Sequence, residues 1–145
     1  MLLRLLNALE MKGTLATQMP DSLNEPTHLC MREVARDARW SQRLASADSE
    51  RASIETAPAY FRMLKAHCRQ VEVWRTTYHH PLKRVDGIIE WFSSTGLLPY
   101  LSRLERDQKE QYLEAYRTLL AKHYSVFDDG TVLLPFPRVF MMATR

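Results

Sequence analysis

The sequence predicts an α/β fold, a small sheet set among many helices. Strand-like runs near 14–19, 70–79 and 131–143 alternate with stretches whose apolar residues recur at helical spacing. The 145 residues are 46% hydrophobic and 26% charged with a net charge of +3, so the chain can bury a core and is not disordered. The glycines bound the chemistry. Gly13, Gly87, Gly96 and Gly130 lie so far apart that no Gly-x-Gly occurs. A phosphate-cradling turn needs clustered glycines so that backbone can approach the ligand, and this sequence carries none.

Each element has its own local reason. Leu2, Leu5, Leu6 and Leu9 predict an amphipathic helix over 2–10, stopped by Gly13. Thr14 to Met19 is a short, mostly apolar run expected as a buried strand, ended by Pro20-Asp21. Pro26 after Asn24-Glu25 marks a helix start; that helix carries Met31, Val34, Ala35 and Ala38 inward and runs to about Arg43. Residues 41–56 lack periodicity and read as a surface loop. Pro58 opens a helix with Tyr60, Phe61 and Leu64 on one face. From Gln70 to His79, β-forming residues on both faces give the clearest strand, closed by Pro81. Helices are expected over 84–95, 98–105 and 107–123, the last presenting Tyr112, Leu113, Tyr116, Leu119 and Leu120. Asp129-Gly130 is a turn. Thr131 to Ala143 is strand-like, and its Pro135 and Pro137 mark an entry segment, a bulge or an unpaired side.

Composition excludes several functions. Cys30 and Cys68 are too few for a disulfide framework and read as small buried hydrophobes. The amino-terminal leucines are interrupted by Asn7, Glu10 and Lys12 before a secretory core of proper length forms. No run approaches the ~20 apolar residues of a membrane span. A cytoplasmic location is the expectation. The isoelectric point is near 9.0, but Arg103, Arg106 and Lys109 are mixed with Glu105, Asp107 and Glu110, a solvated helix face and no nucleic-acid patch. Trp40, Trp74 and Trp91 read as packing residues. His79 and His80, adjacent on a strand, face opposite ways, so no metal site is expected. No nucleophile motif is present.

Several segments together carry a resemblance. These are Gln18-Met19-Pro20-Asp21, Glu25-Pro26-Thr27-His28, Met31 to Ala35, Val71 to His79, Ile88-Ile89-Glu90-Trp91, Thr95-Gly96-Leu97, and Leu133 to Phe140. In this order and spacing the chain resembles the trans-aconitate methyltransferases, S-adenosylmethionine-dependent enzymes of the Rossmann-like class. The resemblance implies that 14–19, 70–79 and 131–143 are the fifth, sixth and seventh strands of that sheet. The seventh is then antiparallel and lies between the other two. It implies a single domain over 1–145, the carboxyl-terminal half of the fold, with helical cap insertions at 22–57 and 81–130. It also implies methyl transfer from S-adenosylmethionine to a carboxylate of a small polycarboxylate, giving a monomethyl ester. The glycine-rich turn for that co-substrate is absent from the sequence, so the chain is expected to be inactive alone.

Such an acceptor is already ionised, because carboxyl groups titrate near pH ~4, so no general base is required. It does need cationic forks and hydrogen-bond donors at the carboxyl ends of the strands. His28, Arg32, Arg75, Tyr78, His79 and Arg138 are the substrate-binding residues expected there. The alternative is a non-catalytic module, or one half of a split enzyme, pairing through an exposed strand edge. Its partner would be a second copy of the chain or a separate cofactor-binding half.

Overall fold

The computed structural model describes residues 2–47 and 53–145. The α/β expectation holds: three strands, β1 (Thr14–Pro20), β2 (Gln70–Lys83) and β3 (Thr131–Thr144), form one sheet in the order β1-β3-β2. β3 is central and antiparallel to β1, with Gln18 opposite Phe140 and Pro20 opposite Arg138. Its pairing with β2 is bounded by backbone bonds from Arg69 N–H to the Thr144 carbonyl and from Arg84 N–H to the Gly130 carbonyl. Both outer strands therefore run against β3.

The prolines of β3 fit a central strand because of register. Asp21 N–H donates to the Pro137 carbonyl, so Pro137 and, two residues earlier, Pro135 face the β1 side. β1 ends at Pro20, so their missing N–H groups fall where that strand stops. Of the three readings, the unpaired side is the one that holds. Pro81 does not close β2, which runs on to Lys83. β2 is an edge strand, where a proline is tolerated.

The chain divides into two compact units: residues 1–22, 53–78 and 136–145 form the first, and 23–52 with 79–135 form the second. β2 and β3 each pass from one unit into the other. In the first unit, α1 (Leu2–Asn7) and α4 (Ala57–Lys65) bury Leu2, Leu6, Tyr60 and Leu64 with Cys68 against Val139, Met141 and Ala143. Thr56 caps α4, its hydroxyl accepting from Ala59 N–H at 3.4 Å. α1 is shorter than its leucine pattern predicts. The chain turns after Asn7, and the Arg145 guanidinium donates to the carbonyls of Leu6 (3.4 Å) and Leu9 (3.0 Å). Phe61, expected inward, is 43% exposed.

The second unit holds α2 (Pro26–Ala35), α3 (Ser41–Leu44), α5 (Arg84–Ser93), α6 (Leu98–Leu101) and α7 (Arg106–His123). Tyr112, Tyr116 and Leu120 of α7 are fully buried, as the periodicity predicts. The Tyr112 hydroxyl donates to the Met31 carbonyl at 2.8 Å. The helix expected to reach Arg43 instead stops at Ala35. Asp37 accepts from the backbone N–H of Arg39 at 3.0 Å, and the Trp40 indole donates to the Val34 carbonyl at 2.8 Å, so local side chains replace helical bonds. The loop expected over 41–56 opens as α3, and its residues 48–52 lie outside the described residues. Gly96, expected as a stop, is also a packing requirement: a Cβ there would lie 2.8 Å from Phe92 Cδ1.

Candidate functional site

In the first unit, a polar group is built where β1 ends. Gln18 shares a sheet face with Phe140, its partner across the pair, and with Arg138, two residues earlier on β3. The Arg138 Nε donates to Gln18 Oε1, and its guanidinium lies 5.6 Å from the centroid of the Phe136 ring. Asp21, just past β1, is fixed by its backbone bond to Pro137. Its carboxylate accepts from Arg75 Nε at 2.8 Å, an ion pair of half-exposed side chains. Tyr78 lies 6.4 Å from the Phe140 ring, and Trp74 stacks on that ring at 5.3 Å with an interplanar angle of 13°. Trp74 packs on Phe140 as expected, although it is 44% exposed. Arg75 is thus paired with a carboxylate, whereas the Arg138 Nε is paired with a neutral amide oxygen.

Arg75, Tyr78 and Arg138 therefore belong to one local cluster. Arg75 and Tyr78 sit within β2, not at its carboxyl end, because the strand continues to Lys83. His79 also sits mid-strand, exposed, in the second unit. There His28 is buried in the first turn of α2, with its ring edge-on to Phe92 at 5.1 Å and Nδ1 3.3 Å from the Thr27 hydroxyl. Arg32, one turn later, donates to the Leu23 carbonyl at 2.6 Å and so braces the segment that leads into α2. The His80 ring lies 4.7 Å from that of Trp91, tilted by 31°, and Trp91 is 41% exposed. Gln18 and Asp21 were missed by sequence reasoning. Both stand in the Gln18-Met19-Pro20-Asp21 segment that carries the resemblance, but locally they read only as a strand and its stop.

Other chemistry is limited. Both cysteines are unbridged and buried, as expected. Burial, reinforced by nearby Glu33, pushes the Cys30 thiol up to about 11, which removes its nucleophilic form at neutral pH. Burial likewise pushes the Tyr124 hydroxyl up to about 12. Among the described residues, no group of three His, Cys, Asp or Glu side chains is placed to hold a metal ion, and no helix is long and apolar enough to cross a membrane. Two open grooves lie elsewhere. One, of about 370 Å³, is lined by Pro58, Phe61, Arg62 and Val73; the other, of about 500 Å³, lies between α2 and α7.

No protein-family model matches the chain. Individual relatives do. It is 42% identical over 139 residues to a trans-aconitate 2-methyltransferase of Yersinia pseudotuberculosis, across 96% of this chain and 54% of the relative. A Yersinia pestis enzyme of the same name matches equally, over 96% of this chain and 54% of its own length. That of Rhodopseudomonas palustris is 43% identical over 142 residues, covering 98% of this chain and 56% of the relative. The chain spans about half the length of these curated relatives. By sequence, then, it is homologous to the trans-aconitate 2-methyltransferases over that half.

Proposed function

We propose that the chain supplies the acceptor-binding part of an S-adenosylmethionine-dependent carboxylate O-methyltransferase, with a small polycarboxylate such as trans-aconitate as acceptor. The carrying observation is the 42% identity over nearly the whole chain to enzymes named for that acid. Arg138 and Tyr78, both in the first unit, are its proposed acceptor contacts, beside an Arg75 that is already paired to Asp21. Their work is recognition and orientation. A carboxylate is its own nucleophile at neutral pH, so holding one oxygen in line is the main catalytic demand on these residues. Guanidinium forks suit that demand because they bind carboxylates with fixed geometry.

The same residues do not fit the methyl donor. A Cβ on Gly13, Gly87 or Gly96 would meet the chain's own Leu9, Leu82 or Phe92, and Gly130 serves a turn at φ +83°. None holds backbone open for a nucleotide-like ligand. The donor site is accordingly proposed to require residues other than these, and the chain to be inactive alone. Titration calorimetry with trans-aconitate tests the acceptor reading. Saturable binding that weakens with added salt is expected, and the absence of any saturable heat contradicts it.

A second reading has one observation in its favour: among the described residues, β1 is an edge strand paired to β3 alone. Thr14, Ala16 and Gln18 alternate with the residues that bond β3, so their backbone groups face the open edge. In this reading the chain is an interaction module whose partner, a second copy or a separate cofactor-binding half, pairs there. Light scattering on the wild type should then show a dimer that the Ala16→Pro substitution abolishes. A wild-type monomer up to high concentration removes the homodimer form of this reading.

A further inference from the structure

The two guanidinium groups at the end of β1 are not equivalent. Arg75 places Nε 2.8 Å from Asp21 Oδ2, so its charge is already matched by a carboxylate. An acid arriving there would have to share the fork with Asp21 and meet its like charge. Arg138 is held differently. Its Nε bonds to the side-chain oxygen of Gln18, which is a neutral acceptor. Among the described residues, no carboxylate pairs with Arg138, and neither of its terminal nitrogens has a hydrogen-bond partner.

The register explains why this guanidinium is held in place. Gln18 faces Phe140 across the β1–β3 pair and Pro20 faces Arg138, so Gln18 is the diagonal neighbour of Arg138 on the same sheet face. Phe136 stands two residues before Arg138 on that face and presents its ring at 5.6 Å. An amide at one side and an aromatic ring under the plane restrict the guanidinium without neutralising it. The pair of terminal N–H groups is left as a fork for two carboxylate oxygens. Because the side chain is already ordered, less freedom is lost when a ligand arrives.

We infer that Arg138, positioned by Gln18 and Phe136, anchors a carboxylate of the acceptor, and that Asp21 keeps Arg75 out of that role. The inference rests on the acceptor-binding reading above and adds to it which cation does the binding. Gln18 is a positioning residue. Asp21 is a selectivity element, since it assigns the incoming anion to one fork and not the other.

The test is an NMR titration of the intact chain with trans-aconitate, following the arginine Nε–Hε signals. The Arg138 signal is expected to move and saturate. Arg138→Gln should bind about tenfold more weakly, the scale of one lost charged fork, with Arg75→Gln within about twofold of wild type. Arg138→Lys, which keeps the charge but not the fork, should fall between Arg138→Gln and wild type and guards against a variant that fails to fold. Gln18→Leu should weaken binding several-fold and shift the free Arg138 Nε–Hε signal before any acid is added, a change a merely structural role would not single out. The reverse ranking, with Arg75→Gln losing binding and both Arg138 variants retaining it, overturns the inference and leaves the acceptor reading standing. No saturable shift in the wild type overturns the acceptor reading and this inference with it.

Discussion

Single residues carry the chemistry of this chain through their partners. Arg75 and Arg138 look alike in the sequence, and only the placement of Asp21 and Gln18 distinguishes a compensated cation from an open one. That Arg138 stands beside the end of Thr14–Pro20 was legible in the sequence. The role of each arginine was not, because a guanidinium's partner is set by register across strands more than a hundred residues apart in sequence. Cys30 gives a residue-scale prediction. Its thiol is buried and its pKa is raised from 9.0 to about 11, so the folded protein binds a proton that the unfolded chain releases. Stability from this group is complete below pH 9 and is lost as pH rises toward 11. Denaturant midpoints should fall across that window, and Cys30→Ala should flatten part of the fall. An unchanged slope in the variant would assign the alkaline loss to other groups, Tyr124 first among them.

At the scale of elements, the patterns that depend on neighbouring residues were read well. β1, α7 and β3 begin and end within a residue or two of their expected bounds, although β1, expected to be buried, alternates between exposed and half-buried residues because it lies at the sheet edge. The misses have one kind of cause. β2 passes Pro81 because it lies at an edge, and β3 holds two prolines because β1 has stopped beside them; neither fact is local. α2 stops at Ala35 because Asp37 and Trp40 take over the backbone bonding, a competition that helical periodicity does not register. α4 shows the opposite case, a local signal that works. Thr56→Ala removes the hydroxyl that accepts from Ala59 N–H and should cost about 1 kcal/mol in urea unfolding. A change of only a few tenths would mean that packing of Tyr60 and Leu64, not the cap, fixes the start of this helix.

For the whole molecule, the chain is homologous to trans-aconitate 2-methyltransferases and spans about half their length. Its four glycines serve turns and close packing, while its best-placed open cation suits an acid. The central claim is that these residues take the acceptor and not the methyl donor. Ligand-observed NMR on one sample holding the chain with both trans-aconitate and S-adenosylmethionine tests it directly. Saturation transfer to trans-aconitate alone is expected; transfer to S-adenosylmethionine, or to neither ligand, would overturn that claim.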